Sequence, residues 1–302
     1  MIAGNVWSAV EPNDSIRVNY CKRSPGGHAN NQSLALRKLG KKVRFIGRVG
    51  SDDFGLTIVG NLRDAGVDVS NAIIDPTLET SVSVIIIDGD GEKTIFMYQT
   101  GNNAFSIDHI KTNWMDDCAV LSIGNLWTLP GLDGSGMVAL LSKAKDKGII
   151  TVADTSADSK HIGIEPLVMA LKHTDYYMVG QREARALTGC DELHAAAEAL
   201  LEMGPKGVII RMGAQGCLVA TGEKKVHLST ISVKAVDTSG ASDSFTAGFI
   251  TKLCEGKDIF TCAAFGNVAG ALCTLAPGAT KAHASYHAVS ERFEPYFNAL
   301  NI

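Results

Sequence analysis

The apolar residues in the second half of the chain alternate between two patterns. AVLSIG, GIITVAD, YYMVG and GVIIRMG are short apolar runs typical of buried strands. Longer segments with helical spacing lie between them, such as GSGMVALLSKAKDKG and ELHAAAEALLEMG. This alternation predicts parallel strands joined by right-handed crossovers. Two further strands, CLVATG and KVHLS, and three helical stretches complete the pattern.

The first hundred residues have a more varied pattern. NNQSLALRKLG and FGLTIVGNLRDAG have helical spacing and end on glycine, and VRFIGRVG between them predicts a strand. SIRVNYC alternates like a half-exposed strand, and TSVSVIIIDGDGEKTIFMYQ predicts two strands joined by an Asp/Gly turn. We therefore predict a single α/β domain over residues 1–302, a three-layer doubly wound and mainly parallel sheet. A small accessory sheet is expected from residues 11–24 and 77–100.

Composition narrows the range of partners. Apolar residues make up 45% of the 302 residues, enough for a sizeable core, and the net charge is -4 without a long run of either sign. We expect neither nucleic acid nor a membrane as a partner. The seven cysteines are scattered and form no C-x-x-C, and no signal peptide opens the chain, which predicts reduced thiols and a cytoplasmic location.

Candidate chemistry lies where strands end, since ligands of open parallel sheets bind at the carboxyl ends of the strands. Glu183 follows YYMVG, the pair Gly213 and Gly216 follows GVIIRMG, and DTSGASD follows the strand-like KAV. DTSGASD opens a helix, whose first N–H groups lack partners within the helix and attract anions. Its small residues leave room for a phosphate, and Asp243 suits a general base acting on a hydroxyl. The alternative is that Asp and Ser only cap the helix.

Two other patterns resemble binding motifs, but we interpret both as structural. GSGMVA with Asp154 twenty residues later resembles a dinucleotide fingerprint, but its strand AVLSIG ends about ten residues too early. His283 and His287 have the spacing of a zinc pair but lack the accompanying glutamate and any nearby cysteine ligand. We interpret the two histidines as part of a solvated helix face.

The chain resembles the ribokinase-like (PfkB) family of sugar and nucleoside kinases over residues 1–285. The resemblance rests on Pro25-Gly26-Gly27 with Asn31, on D-T-x-G-A-G-D matched by Asp237 to Asp243, and on their order and spacing. Gly213 to Gly216 matches the nucleotide loop of the family, and Glu183 matches the glutamate of N-x-x-E. Gly101-Asn102-Asn103 corresponds to the sugar-contacting G-x-N of many members.

The resemblance implies an ATP-dependent kinase for a small sugar. Asp243 would be the base, and Gly240, Ala241 and Ser242 would form the anion hole with it. The implied sugar contacts are Gly26, Gly27, Asn31 and Asn103. The implied nucleotide contacts are Glu183, Arg211, Gly213, Gly216, Asn267 and Gly278. Mg²⁺ would arrive with ATP and meet Glu183 through water, and Asp237 is the candidate for a K⁺ loop. The accessory sheet would be a lid over the sugar, and paired lids would form a homodimer.

Three positions depart from the family pattern. Ser242 replaces a glycine, where its side chain would crowd the phosphate or strain the backbone if φ is positive. Gly180 replaces the asparagine of N-x-x-E, and Ala9 replaces a sugar-binding aspartate. These departures keep two alternatives open: a weak or inactive member that binds sugar or nucleotide, and a nucleoside kinase.

Overall fold

The computed structural model describes residues 18, 21–87, 93–156 and 164–300. The strands are β1 (Arg44–Gly50), β2 (Asp68–Asp75), β3 (Val82–Ile87), β4 (Lys93–Tyr98), β5 (Val120–Leu126), β6 (Ile150–Thr155), β7 (Tyr176–Gly180), β8 (Gly207–Arg211), β9 (Cys217–Thr221) and β10 (Lys225–Leu228). The helices are α1 (His28–Lys38), α2 (Asp53–Asp64), α3 (Thr100–Ala104), α4 (Ser135–Asp146), α5 (Glu165–Leu171), α6 (Gln181–Thr188), α7 (Leu193–Glu202), α8 (Ala241–Leu253), α9 (Ile259–Cys273) and α10 (Tyr286–Ala299).

The central sheet has six strands in the order β10-β9-β8-β7-β6-β5. Strands β5 to β8 run parallel to one another, whereas β9 pairs antiparallel with both β8 and β10. The crossovers between the parallel strands contain the helices that the apolar spacing predicts. The predicted α/β class with a mainly parallel sheet is confirmed.

Helices cover both faces of this sheet, which makes three layers. Tyr177 and Val179 of β7 face one core, which contains the buried residues of α4 to α7. Met178, between them, faces the other core with residues from α1 and from α8 to α10. Period-two alternation thus splits each strand between two apolar layers, so both faces of the strand are buried. In the described ranges, no helix is long and apolar enough to cross a membrane.

Two smaller sheets stand beside the central one. Strands β1 and β2 form a parallel pair, and β3 and β4 form an antiparallel hairpin in which Val84 pairs with Phe96 and Ile85 with Ile95. The hairpin confirms the two strands predicted within residues 77–100. The strand expected in residues 11–24 lies outside the described residues except at residues 18 and 21–24, where no strand forms.

Three further expectations from the sequence concern Ala9, the segment KAV and the boundaries of the domain and lid. The departure at Ala9 lies outside the described residues. The short segment KAV, residues 234–236, is not a strand, so DTSGASD follows an irregular segment. The single-domain boundaries and the extent of the lid stay predictions.

Helix α8 passes through the core and carries the candidate base in its first turn. Every residue from Asp243 to Leu253 is buried. The helix crosses α9 closely at Gly248, where an added Cβ would lie 2.9 Å from the Cβ of Ala269 and 3.0 Å from the Cα of Gly266. This contact fixes α8 against α9 and hence fixes the position of its N-terminus.

We therefore predict that Gly248→Ala lowers the free energy of unfolding by about 1–3 kcal/mol, because the extra methyl overpacks the crossing. Gly60→Ala in α2 is the matched control, since an added Cβ there meets nothing within 4 Å. The control should gain about 0.5–1 kcal/mol from helix propensity. Urea unfolding measures both, and a Gly248→Ala protein as stable as the parent would show that the crossing is not tight.

Candidate active site

The N-terminus of α8 starts from a glycine in a left-handed conformation. Gly240 has φ 79°, and an added Cβ would lie 2.4 Å from the backbone oxygen of Ala279. Both the backbone angle and this contact exclude a side chain. The turn therefore delivers the first N–H groups of α8 at a fixed position, as an anion site needs.

Ser242 does not strain this turn. It is the second residue of α8 and lies in regular helix, and the left-handed backbone falls on Gly240. The strain that a positive φ at Ser242 would cause is therefore absent. The side chain is half-buried beside the first turn, which leaves crowding of a phosphate as the way it could act.

Asp243 accepts hydrogen bonds from three side chains of α1. The Asn31 Nδ2 donates to Oδ2 over 2.8 Å, the His28 Nδ1 lies 3.0 Å from Oδ1, and the Gln32 Nε2 donates to Oδ1 over 3.4 Å. The Asp243 residue is 2% exposed. The two family motifs thus meet at one carboxylate, although more than 200 residues separate them.

Helix α1 reaches Asp243 because of the glycines before it. Gly27 has φ 93° and precedes the first helical residue, His28. A Cβ on Gly124 of β5 would lie 2.9 Å from the nitrogen of Ala29, so the start of α1 rests directly on the central sheet. Gly26 and Gly27 remain exposed at this turn, where the resemblance places sugar contacts.

A buried ion pair lies at the carboxyl ends of β6 and β8. The Arg211 guanidinium donates twice to the Asp154 carboxylate, over 2.5 Å and 2.6 Å, and Thr246 of α8 donates to the same carboxylate. Burial would lower the pKa of Arg211, but the charge and hydrogen bonds of Asp154 outweigh it and raise the pKa. Arg211, predicted to contact the nucleotide, is thus held by Asp154, the residue singled out by the false dinucleotide pattern.

The remaining residues that were predicted to contact the nucleotide fall into two groups, those near the ends of β7 and β8 and those with structural contacts elsewhere. Gly213 (φ 60°) and Gly216 (φ 90°) shape the turn between β8 and β9. Glu183 is in the first turn of α6, and its Oε2 lies 2.2 Å from where a Cβ on Gly180 would stand. The glycine at the family's asparagine position thus makes room for the glutamate carboxylate.

Asn267 and Gly278 have structural contacts. The buried Asn267 amide donates to the backbone oxygens of Leu228 and Ser229, at the end of β10. The Gly278 nitrogen donates to Asp237 Oδ2 over 2.9 Å, while Oδ1 of the same carboxylate accepts from the Ser239 nitrogen. Asp237 therefore joins the two loops that flank the start of α8.

Asn103, the last of the predicted sugar contacts, is exposed on α3, which follows the hairpin strand β4.

The interpretation of His283 and His287 as one solvated helix face is wrong for His283. His283 is 6% exposed, precedes α10, and pairs through Nδ1 with the Ser244 hydroxyl over 2.7 Å. Burial lowers the pKa of His283 to about 4. His287 is exposed on α10. No group of three or more His, Cys, Asp or Glu side chains in the described ranges could hold a metal ion.

Sequence reasoning missed His28, Gln32 and the role of Asp154. His28 follows the glycine pair directly, and that position was the available signal, but histidines were weighed only for metal spacing. Burial acts to lower the pKa of His28, but the hydrogen bond that it donates to Asp243 and the charges of Asp243 and Asp154 raise the pKa above its ordinary value.

A family model for pfkB family carbohydrate kinases matches residues 2–284. The chain belongs to this family. It is therefore an ATP-dependent carbohydrate kinase. Probable fructokinase-5 of Arabidopsis thaliana is 28% identical, over 86% of this chain and 85% of the relative.

Two crystal structures show the shared fold. Ribokinase of Thermotoga maritima superposes with TM-score 0.80 at 26% identity, over 94% of this chain and 92% of that one. Fructokinase of Vibrio cholerae, crystallised with fructose, ADP and a calcium ion, gives TM-score 0.77 at 25% identity, over 89% and 91%.

The buried ion pair at the carboxyl ends of β6 and β8 leads to a prediction about stability. Arg211→Met should lower the free energy of unfolding by about 3 kcal/mol or more, because it leaves the Asp154 carboxylate buried and unpaired. The double variant Arg211→Met/Asp154→Leu should recover most of that loss, since apolar side chains can replace a buried pair. Chemical unfolding of the three proteins measures this, and equal losses in the single and double variants would contradict it.

Proposed function

We propose that this kinase transfers the γ-phosphoryl group of ATP to a hydroxyl of a small sugar, with Asp243 as general base. The observation that carries the proposal is the hydrogen bonding of Asp243 in the first turn of α8. Each carboxylate oxygen can accept about two hydrogen bonds. Among the described residues, Oδ1 has two donors, His28 and Gln32, and Oδ2 has one, Asn31. One acceptor position on Oδ2 therefore remains for a sugar hydroxyl.

The reaction then needs few residues. As the hydroxyl oxygen bonds to phosphorus and the bond from phosphorus to ADP breaks, Oδ2 of Asp243 takes the hydroxyl proton. The N–H groups of Gly240, Ala241, Ser242 and Asp243 would stabilise the charge on the phosphoryl oxygens, where the helix dipole is positive. Asn31 holds the base through one N–H of its amide, and the other N–H would donate to the sugar.

Magnesium fits this site as a partner of ATP. The described residues offer no cluster that could hold a metal alone, but Glu183 places one carboxylate at the start of α6. Magnesium is commonly held by one or two carboxylates, water and substrate phosphates, and it neutralises phosphate charge there. Asp237 remains our candidate for a K⁺ loop. The turn at Gly213 and Gly216 would lie along the nucleotide, with Arg211, Asn267 and Gly278 shaping its surroundings.

The sugar is proposed to be fructose or a ribose-like pentose. The support is the similarity to a fructokinase crystallised with fructose and to a ribokinase. Asn103 and the turn of Gly26 and Gly27 would contact its hydroxyls. A cytoplasmic location fits the seven free cysteines.

We predict that Asp243→Asn lowers kcat by about 10²–10⁴-fold, the usual contribution of a positioned base, because an amide cannot take the proton. ADP release with D-fructose and with D-ribose measures it, and circular dichroism checks the fold. His287→Gln, on the exposed face of α10, is the control. Near-full activity of Asp243→Asn would remove Asp243 from the role of base.

The hairpin is proposed to act as a lid and as a dimer contact. Val84 and Ile85 are 54% and 51% exposed, and they point to opposite faces because neighbouring strand residues alternate. Their cross-strand partners Phe96 and Ile95 are also about half exposed. An isolated two-stranded hairpin is marginally stable in water. We infer that the sugar site covers one face and a second subunit covers the other.

This lid hypothesis predicts different outcomes for Val84→Lys and Ile85→Lys. One should convert a dimer to a monomer by light scattering at micromolar concentration. The other should leave the dimer intact and raise KM for the sugar at least about tenfold, through lost apolar contact. Leu56→Lys, at an apolar residue of α2 that is 51% exposed, should change neither. A monomeric parent protein, or the same effect from both variants, would contradict the hypothesis.

A further inference from the structure

Among the described residues, His28 is the titratable and solvent-accessible group that contacts the proposed base. Its Nδ1 lies 3.0 Å from Asp243 Oδ1, and its side chain is 41% exposed, whereas that of Asp243 is 3% exposed. His28 can therefore exchange protons with water while the carboxylate beside it is nearly closed off.

The position of His28 is fixed by the backbone. It is the first residue of α1, directly after the left-handed Gly27. A Cβ on Gly124 would lie 3.0 Å from the Cβ of His28, so the residue sits against β5 with no space between. The contact with Asp243 thus depends on how α1 packs against β5.

The charges around His28 come from three elements. Asp243 of α8 and Asp154 at the end of β6 favour the protonated imidazole, and Arg211 at the end of β8 opposes it. Strand β5, which lies beneath His28, has the sequence VLSIGNL and contributes no charged side chain. Burial also opposes protonation, but the hydrogen bond to Asp243 and the two carboxylate charges outweigh it and raise the pKa of His28 above its ordinary value of 6.5.

We propose that His28 is a positioning residue for Asp243 whose protonation lowers kinase activity. In its neutral form, His28 carries the proton on Nδ1, donates it to Oδ1, and so directs the sugar proton to Oδ2. When Nε2 also gains a proton, the imidazolium pairs with the carboxylate and stabilises its ionised form. The carboxylate then becomes a weaker base, and base catalysis follows basicity.

The inference rests on the proposed role of Asp243 and adds a pH dependence to it. Without His28, the low-pH limit of activity would come from carboxylates, whose ordinary pKa is about 4. With His28, activity should fall in the imidazole range, more than one pH unit higher.

The experiment compares pH profiles of kcat/KM from pH 5 to 9 for the parent, His28→Asn and His28→Ala, using ATP with D-fructose or D-ribose. Asparagine places an N–H donor where Nδ1 stands and cannot be charged. We expect His28→Asn to lose less than about tenfold at pH 8.5 and to shift its acidic limb at least one pH unit down. His28→Ala should lose more at pH 8.5, because Oδ1 then lacks a donor. His287→Gln should match the parent throughout.

An acidic limb that is the same in the parent and in His28→Asn would overturn the inference, and so would a parent whose activity rises on acidification. NMR titration of the His28 ring gives a readout without turnover: its pKa should lie above 6.5 in the parent and fall in Asp243→Asn. If Asp243→Asn keeps full activity, the proposed base is wrong. If Asp243→Asn is inactive and the limb does not move, only the role of His28 is wrong.

Discussion

The site depends on one buried carboxylate that joins two distant parts of the chain. Asp243 is nearly closed off from water and accepts hydrogen bonds from His28, Asn31 and Gln32. An ionised carboxylate at this depth is stable only because charged or polar donors replace the lost water. The start of α1 must therefore lie against the start of α8, and the glycines at both starts make that approach feasible.

The buried ion pair of Asp154 and Arg211, beneath the site, is subject to the same requirement that a buried charge has a partner. It lies at the ends of two parallel strands and also receives a hydrogen bond from Thr246 on α8. Burying charged groups at the carboxyl ends of these strands costs free energy unless every charge has a partner. The result is a polar layer between an apolar sheet and the proposed phosphate site, in which each charge limits where the others can lie.

Much of the fold was predictable because local patterns encode it. The strands β5 to β9 and helices α1, α2, α4 and α7 follow from apolar period and glycine stops, which act over a few residues. The resemblance then assigned the role of general base to Asp243. The contacts of Asp243 could not be predicted the same way. Which side chains reach Asp243 depends on how α1 and α8 pack across the sheet, and sequence spacing says nothing about that.

The structure also adds contacts and backbone geometry that local patterns do not reveal. The guanidinium of Arg211 donates to Asp154, a residue 57 positions away, and its expected contact with the nucleotide stays a prediction. His283 was expected on a solvated face, yet a loop places it under α8 beside Ser244. The strain expected if Ser242 had a positive φ is absent, because the left-handed residue of this turn is Gly240. The partners of Arg211 and His283 are set by tertiary packing, which local sequence spacing does not encode.

The pairing of α1 with Asp243 also orders events during synthesis. His28 leaves the ribosome 215 residues before its partner Asp243, so α1 must wait until α8 has been synthesised. Until then its buried polar residues Asn31 and Gln32 lack their acceptor, and any folded intermediate must leave that face in water. Contacts of such high sequence separation slow folding. A truncated product ending before α8 would thus expose a polar helix face whose acceptor, Asp243, is missing.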